Sequence, residues 1–154
     1  MLNISFYEFK KKHQNKKNQI LFHTIESAGN KETENLINNF LIEKNSFIFE
    51  SVEKGKIKGR YSILGRNPDC IWEFQGNKCR KIINNKVRSL KSSPKKIIDQ
   101  IIESFKFEIP NELPNISSII SGYFSYDIIR YVEKIPNKCK DDLNIPDVRL
   151  IRPK

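Results

Sequence analysis

The sequence predicts an α+β fold in which antiparallel sheet packs against a few helices. Short runs of β-branched and aromatic residues follow one another between turn residues, which is typical of strands. Other segments carry apolar residues at helical spacing. Because strands and helices do not alternate regularly, the pattern favours α+β over a doubly wound α/β fold.

The N-terminal part is expected to hold two helices and a strand. Ser5 can cap a helix over residues 5–13, where two phenylalanines lie three positions apart. Residues 19–25 are β-branched and aromatic and predict a strand. Residues 31–44 repeat apolar positions at helical spacing, so they predict an amphipathic helix.

Four strands are predicted in the middle of the chain. They cover residues 47–52, 60–66, 69–75 and 78–83, with turn-forming residues between them. Consecutive strands joined by short turns pair antiparallel most simply, so the last three are expected to form a meander.

The clearest helix begins after Ser93, which can cap it, and has Pro94 in its first turn. Its apolar residues form one stripe, at Ile97, Ile98, Ile101, Ile102 and Phe105. An amphipathic stripe of this kind must pack on a sheet face.

The C-terminal part predicts a strand, a short helix and a second strand. Residues 116–126 and 127–133 give the first two, and residues 136–147 are a surface connection rich in Pro, Asn and Asp. A further strand starts at residues 148–151. Because it starts so near the end of the sequence, it is expected to have little room to pair, which suggests a truncated piece.

Length and composition predict a single domain over residues 1–154, with 38% hydrophobic residues. No apolar run approaches the ~20 residues that cross a bilayer, and charge appears at Glu8 and Lys10 before a signal-peptide core could develop. The protein is therefore expected to be cytoplasmic. Its cysteines are too widely spaced for a metal or redox pair and are expected to be reduced: Cys70, Cys79 and Cys139.

The net charge of +10 raises the possibility of a nucleic-acid-binding protein. Dense basic sequence is confined to Lys10–Lys12 with Lys16 and Lys17, and other lysines are spread through the chain. A solvated basic surface is the simpler interpretation. A free-standing basic nucleic-acid-binding module is kept as an alternative from a different class.

Motifs that carry catalysis are missing from the sequence. There is no glycine-rich phosphate loop and no His, Cys, Asp and Glu set at metal-ligand spacing. Glu50 and Glu53 flank a loop, where carboxylates are more often solvated than catalytic. The sequence predicts no catalytic residue, metal site or cofactor within this chain.

A carboxylate and two hydroxyls form the first candidate site. Glu50 and Ser51 end an apolar strand, and Ser62 lies on the next predicted strand. Together they could hold the ammonium and carboxylate groups of a free amino acid, while aromatic neighbours take its side chain. The structural alternative is that the serines bond to main-chain groups and that Glu50 is solvated.

A strand-to-helix corner over residues 121–136 forms the second distinctive segment. Gly122 would allow another backbone or a ligand to approach closely, and Asp127 could cap the helix that follows.

In this order, these segments resemble the N-terminal domain of anthranilate synthase component I. The effector motif of that family, Leu-Leu-Glu-Ser followed by a second Ser, appears with Ile48 and Phe49 in place of the two leucines. The matching stretches are residues 48–51 with Ser62, 59–69, 71–72, 122–130 and 144–147. The resemblance covers most of the chain and is weakest over residues 1–40 and 84–112.

The resemblance implies an enzyme that converts chorismate and ammonia, or glutamine through an amidotransferase partner subunit, to anthranilate and pyruvate. Magnesium and the catalytic groups would lie in a C-terminal domain that this chain lacks, so no catalytic residue is carried over. Tryptophan would be the feedback inhibitor, bound by Glu50, Ser51 and Ser62, with Tyr61 beside them. Aminodeoxychorismate synthase component I, from folate synthesis, shares the fold and is the alternative within this class.

Overall fold

The structure, a computed structural model, describes most of the chain. The described residues are 2–26, 30–53, 57–106, 108–136, 138 and 140–153. The main chain alone is described at Asn30, Thr33, residues 51–53 and residues 57–60. Cys139, one of the cysteines expected to be reduced, lies outside the described residues.

The predicted α+β class is confirmed. The helices are α1 (Phe6–Gln14), α2 (Asn30–Leu41) and α3 (Pro94–Ser104), with short 3₁₀ helices at Asn115–Ser117 and Tyr126–Tyr131. The strands are β1 (Phe47–Glu53), β2 (Ile57–Gly65), β3 (Cys70–Gln75), β4 (Lys78–Ile83), β5 (Lys86–Leu90), β6 (Ser121–Phe124) and β7 (Val148–Arg152).

Helix α1 begins where its capping residue predicts. The Ser5 hydroxyl accepts a hydrogen bond from the Glu8 main-chain N–H, and the Glu8 carboxylate accepts one from the Ser5 N–H. This reciprocal capping box satisfies main-chain donors that the first turn leaves without a helical partner. The Ser5 N–H, followed by the Ser5 hydroxyl, donates to the Glu8 carboxylate and lowers its pKa.

The strand predicted over residues 19–25 is wrong. That segment has no regular structure, and its main chain bonds to Asn3. The Asn3 N–H donates to the Phe22 carbonyl, its side-chain amide donates to the Ile20 carbonyl, and its side-chain oxygen accepts from the Phe22 N–H. Asn3 thus provides hydrogen bonds that a neighbouring strand would otherwise provide. Its side-chain amide can do so because it has the same donor and acceptor groups as a main-chain amide.

The strands form two antiparallel sheets instead of the predicted meander through residues 60–83. Strands β1 and β2 pair with each other, and the second sheet has the order β5-β4-β3-β7-β6. The turn at Asn67-Pro68-Asp69 therefore joins two sheets. Asn67 has a φ of 46°, a left-handed conformation that Asn tolerates better than most residues.

Strand β5 was not predicted from the sequence. It follows β4 through a turn at Asn84 and Asn85, both with positive φ, and pairs with β4 over residues 86–90. The prediction missed it because its alternation is weak. Lys86 and Arg88 are exposed, and Leu90 packs partly against the core.

Strand β7 pairs on both sides, so the expectation that it has little room to pair is wrong. Its residues 148–152 pair with β3, and residues 148–151 pair with β6. Strand β6 is shorter than the strand predicted over residues 116–126. A 3₁₀ turn follows Pro114, whose fixed φ suits the start of a turn.

One core lies between α3 and a face of the five-stranded sheet. Ile97 and Ile101 of α3 are buried as the apolar stripe predicts, and the Ser93 hydroxyl caps the helix. The sheet contributes every second residue of β3 and β7, as the alternation of side chains across a sheet requires. These residues are Cys70, Trp72, Phe74, Val148 and Leu150, joined by Cys79 of β4.

The helices in the described ranges are too short and polar to cross a membrane.

We predict that Gly122→Ala destabilises the protein by more than about 3 kcal/mol, because Gly122 combines a close approach with a glycine-only backbone. A Cβ there would lie 2.0 Å from the Arg149 carbonyl oxygen, at a φ of +153°. The control is Gly76→Ala, where φ is +54° and no atom lies within 4 Å. Left-handed strain alone predicts a loss of about 1 kcal/mol there. Urea denaturation measures both, and equal losses would contradict the packing argument.

Candidate functional site

The candidate site lies on the β1-β2 hairpin. The two strands pair antiparallel from Phe47 opposite Gly65 to Glu53 opposite Ile57. Apolar residues in β1 are half-buried at its start, and the strand becomes exposed at Phe49 and Glu50. The polar side chains of the hairpin are therefore exposed to solvent.

Glu50 and Ser62 lie directly opposite each other in the ladder. Opposite residues of an antiparallel pair point to the same face, with Cβ atoms about 4.5–5.5 Å apart. Both side chains are exposed. The structure therefore brings together two of the residues predicted to hold an amino acid.

Ser51 sits where the pairing register shifts, between Glu50 and Val52. Across this shift, residues 59–61 of β2 have no assigned partner in β1. An irregularity of this kind leaves main-chain groups unpaired and re-aims side chains, and it is common beside binding sites. The side chain of Ser51 lies outside the described atoms.

The aromatic residues of the hairpin occupy its other face. The rings of Phe47 and Phe49 are 5.0 Å apart, as expected for residues two positions apart on a strand. Tyr61 precedes Ser62, so alternation places it on the face of Phe49. Tyr61 and Phe49 are 45% and 48% exposed. The acid-hydroxyl pair and the aromatic group are therefore on opposite faces.

A cavity of about 270 Å³ opens on the aromatic face, between the hairpin and strands β6 and β7. Its walls include Phe47, Phe49, Tyr123 and Arg149. The Arg149 guanidinium donates to the Asn45 side chain at 2.6 Å and lies 3.3 Å from a Glu73 carboxylate oxygen. The cavity therefore has aromatic walls and a half-buried cation whose charge Glu73 partly balances.

Gly65 allows Phe47 to line this cavity. A Cβ on Gly65 would lie 2.2 Å from the Phe47 ring, so a larger residue would displace the ring. The sequence motifs do not mark Phe47 or Arg149 as site residues. The signal for Arg149 was present, because it alternates with Val148 and Leu150 and must point away from the core.

Two ion pairs hold the linker between β2 and β3 against neighbouring elements. Arg152 of β7 donates two hydrogen bonds to Asp69, at 2.6 and 2.7 Å, which raise the pKa of the arginine. Arg66 lies 3.3 Å from Glu43 and its guanidinium stacks over Phe40 at 4.4 Å. Bidentate pairs give geometric specificity, so the linker between β2 and β3 has a defined position.

In the strand-to-helix corner, Asp127 does not act as the predicted cap. The 3₁₀ helix begins after Ser125 and has no side-chain cap, while Asp127 accepts a hydrogen bond from Arg130 at 2.7 Å. Arg130 also donates to the carbonyls of Ile135 and Pro136. These charged residues therefore stabilise the corner itself.

Asp147 links three parts of the fold. Its carboxylate accepts hydrogen bonds from the Gly76 N–H at 2.6 Å and the Tyr131 hydroxyl at 2.8 Å. Its own N–H donates to the Phe74 carbonyl, and its carbonyl accepts from the Ser125 N–H. The β3-β4 turn, the 3₁₀ helix and the start of β7 are thereby joined at one residue.

The described cysteines are free thiols, as expected. Cys70 and Cys79 are buried in the core. Burial raises the pKa of both thiols. Neutral, buried thiols are poor nucleophiles, so these residues have a packing role. The described residues also contain no group of three or more His, Cys, Asp or Glu side chains that could hold a metal.

Known proteins similar to this chain are anthranilate synthases. The component 1 of Cereibacter sphaeroides is 38% identical over 115 residues, which is 70% of this chain and 23% of the relative. The component 1 of Acetivibrio thermocellus is 41% identical over 105 residues, or 66% and 21%. The chloroplastic alpha subunit 1 of Oryza sativa subsp. indica is 37% identical over 120 residues, or 70% and 21%. No family model matches the chain.

The chain belongs to the anthranilate synthase component 1 family. It spans about a fifth of the length of the curated relatives it matches. The resemblance drawn from the motifs is thereby confirmed, while the effector role of Glu50, Ser51, Tyr61 and Ser62 stays a prediction.

We predict that Tyr131→Phe lowers the free energy of unfolding by about 1.5 kcal/mol at pH 8, since it removes a donor to a charged group. Burial, followed by the hydrogen bond to Asp147 and its charge, raises the pKa of Tyr131. A raised folded-state pKa gives stability that is complete below the unfolded pKa of about 10 and is lost as the pH rises further.

The stability difference between wild type and Tyr131→Phe is therefore expected to narrow above pH 10. Urea titrations at pH 8 and pH 10.5 measure it, with Tyr126→Phe as a control because Tyr126 is 93% exposed. A difference that stays constant with pH would contradict the assigned hydrogen bond.

Proposed function

We propose that this chain is the N-terminal, effector-binding part of an anthranilate synthase component 1, acting in the cytoplasm. The observation that carries the proposal is the homology to anthranilate synthases over about two thirds of the chain. It is joined by the effector-motif residues Glu50 and Ser62, which lie opposite each other on the β1-β2 hairpin.

The chemistry of the hairpin suits a free amino acid. The Glu50 carboxylate would take the ammonium group of tryptophan, and the Ser51 and Ser62 hydroxyls would bond to its charged ends. Tyr61 and Phe49 lie on the other face of the hairpin, so a tryptophan held by Glu50 and Ser62 would take most of the apolar surface for its indole from the part of the enzyme outside this chain.

The proposed reaction of the whole enzyme converts chorismate and ammonia to anthranilate and pyruvate. Glutamine would supply the ammonia through an amidotransferase subunit, and magnesium would be bound in a part of the enzyme outside this chain. Regulation requires that tryptophan bind the less active arrangement of the enzyme more tightly than the active one. The names of the relatives favour this reaction over that of aminodeoxychorismate synthase.

We predict that tryptophan inhibits anthranilate formation by a family-length enzyme containing this chain, and that Ser51→Ala relieves the inhibition. Loss of one hydrogen bond to a charged group should raise the half-inhibiting tryptophan concentration by about tenfold. Ser89→Ala, at a serine of β5 outside the hairpin, is the matched control and should leave inhibition unchanged. Unaltered inhibition in Ser51→Ala would remove Ser51 from the site. Fluorescence and mass of the product distinguish anthranilate from aminodeoxychorismate.

The isolated chain is predicted to form no anthranilate from chorismate, ammonia and magnesium, because it carries no catalytic group. It should also bind tryptophan more weakly than the family-length enzyme, since a hairpin that is open to solvent leaves much of the indole hydrated. A fluorescence assay and calorimetric titration test the two statements. Anthranilate formation by residues 1–154 alone would overturn the division of roles.

A further inference from the structure

The two outer strands of the five-stranded sheet differ in chemistry. Strands β5 and β6 each have one strand neighbour in the described structure. They are of similar length, five and four residues, so length does not distinguish them. An outer strand exposes unpaired N–H and C=O groups, and natural proteins protect such edges with charge, lysine above all.

Strand β5 carries this protection. It contains Lys86 and Arg88, both exposed, and Lys91 follows it directly. Its exposed apolar residue is Val87, at 59%. Pairing of another strand along this edge would bring its main chain against these cations. The charges of β5 therefore protect this edge strand against pairing with another strand.

Strand β6 lacks this protection. The sequence from Leu113 to Tyr126 contains no Lys, Arg, Asp, Glu or His. Tyr123 and Phe124 of β6 are 37% and 53% exposed, and Tyr126, which follows the strand, is 93% exposed. An uncharged edge bearing large apolar side chains is a template for an added strand.

We propose that the outer edge of β6 accepts a β-strand from the part of an anthranilate synthase component 1 that lies outside this chain. The relatives supply about four-fifths of their length as such additional polypeptide, since this chain spans 21–23% of them. The added strand extends the sheet to β5-β4-β3-β7-β6 plus one, and apolar residues beside it cover Phe124 and Tyr126. The inference rests on the proposed function in that it treats the chain as one part of a family-length synthase.

Hydrogen exchange measured on two proteins tests the proposal. One is the isolated chain, and the other is a hybrid in which this chain replaces the matching stretch of the relative that is 41% identical. The amides of residues 121–124 should exchange at least about tenfold more slowly in the hybrid. The amides of β5 serve as an internal control and should exchange at the same rate in both proteins.

Two lysine substitutions, one in each outer strand, test whether charge at the edge prevents the added strand from pairing. Phe124→Lys gives β6 the protection that β5 already has, and Val87→Lys adds the same charge to β5. In the hybrid, Phe124→Lys should restore fast exchange in residues 121–124, and Val87→Lys should not. Thermal unfolding of the isolated variants controls for loss of the fold.

Unchanged exchange of β6 in the hybrid would overturn the proposal. Slowing in the isolated chain that grows with its concentration would do the same, because the occupant would then be a second copy. A hybrid that protects β6 but forms no anthranilate would refute the proposed function alone. Anthranilate formation without protection of β6 would refute the strand pairing alone.

Discussion

The pairing of β7 between β3 and β6 is the interaction on which the five-stranded sheet depends. Trp72 lies opposite Leu150, and Leu150 lies opposite Gly122, so three distant parts of the chain meet in one row. Val148 and Leu150 bury their side chains in the core cluster that also holds Ile97 and Ile101 of α3, at about 1.5–3 kcal/mol each. Without β7, strand β6 would have no partner among the described strands.

Local signals were sufficient to predict the elements whose stability is local. The stripe and caps of α3 and the capping residue of α1 lie within a few positions in sequence, and both helices form where expected. The pairing of β7 depends on residues far apart in sequence, so its central place in the sheet could not be predicted from adjacent turns. The segment at residues 19–25 has strand composition, yet its main chain bonds to Asn3 and not to a neighbouring strand.

The candidate site, too, was predictable from the sequence only in part. Sequence order predicted that Glu50 and Ser62 would come together, and the register places them opposite each other. It did not predict the cavity, because Phe47 and Arg149 meet only through the packing of the hairpin on β7. The sequence does predict that Tyr61 and Ser62 lie on opposite faces of the hairpin, because adjacent residues of a strand point to opposite faces.

The hairpin is attached to the sheet outside the core cluster. Among the described residues, the core cluster between α3 and the sheet includes none from β1 or β2. Residues that flank the hairpin are tied to β7 by polar contacts instead, Asn45 with Arg149 and Asp69 with Arg152, and the second of these is a bidentate pair that fixes the linker after β2. Under the proposed regulation, a ligand on the hairpin would therefore act through these contacts with β7 and not through the core, because coupling requires contacts that differ between two states.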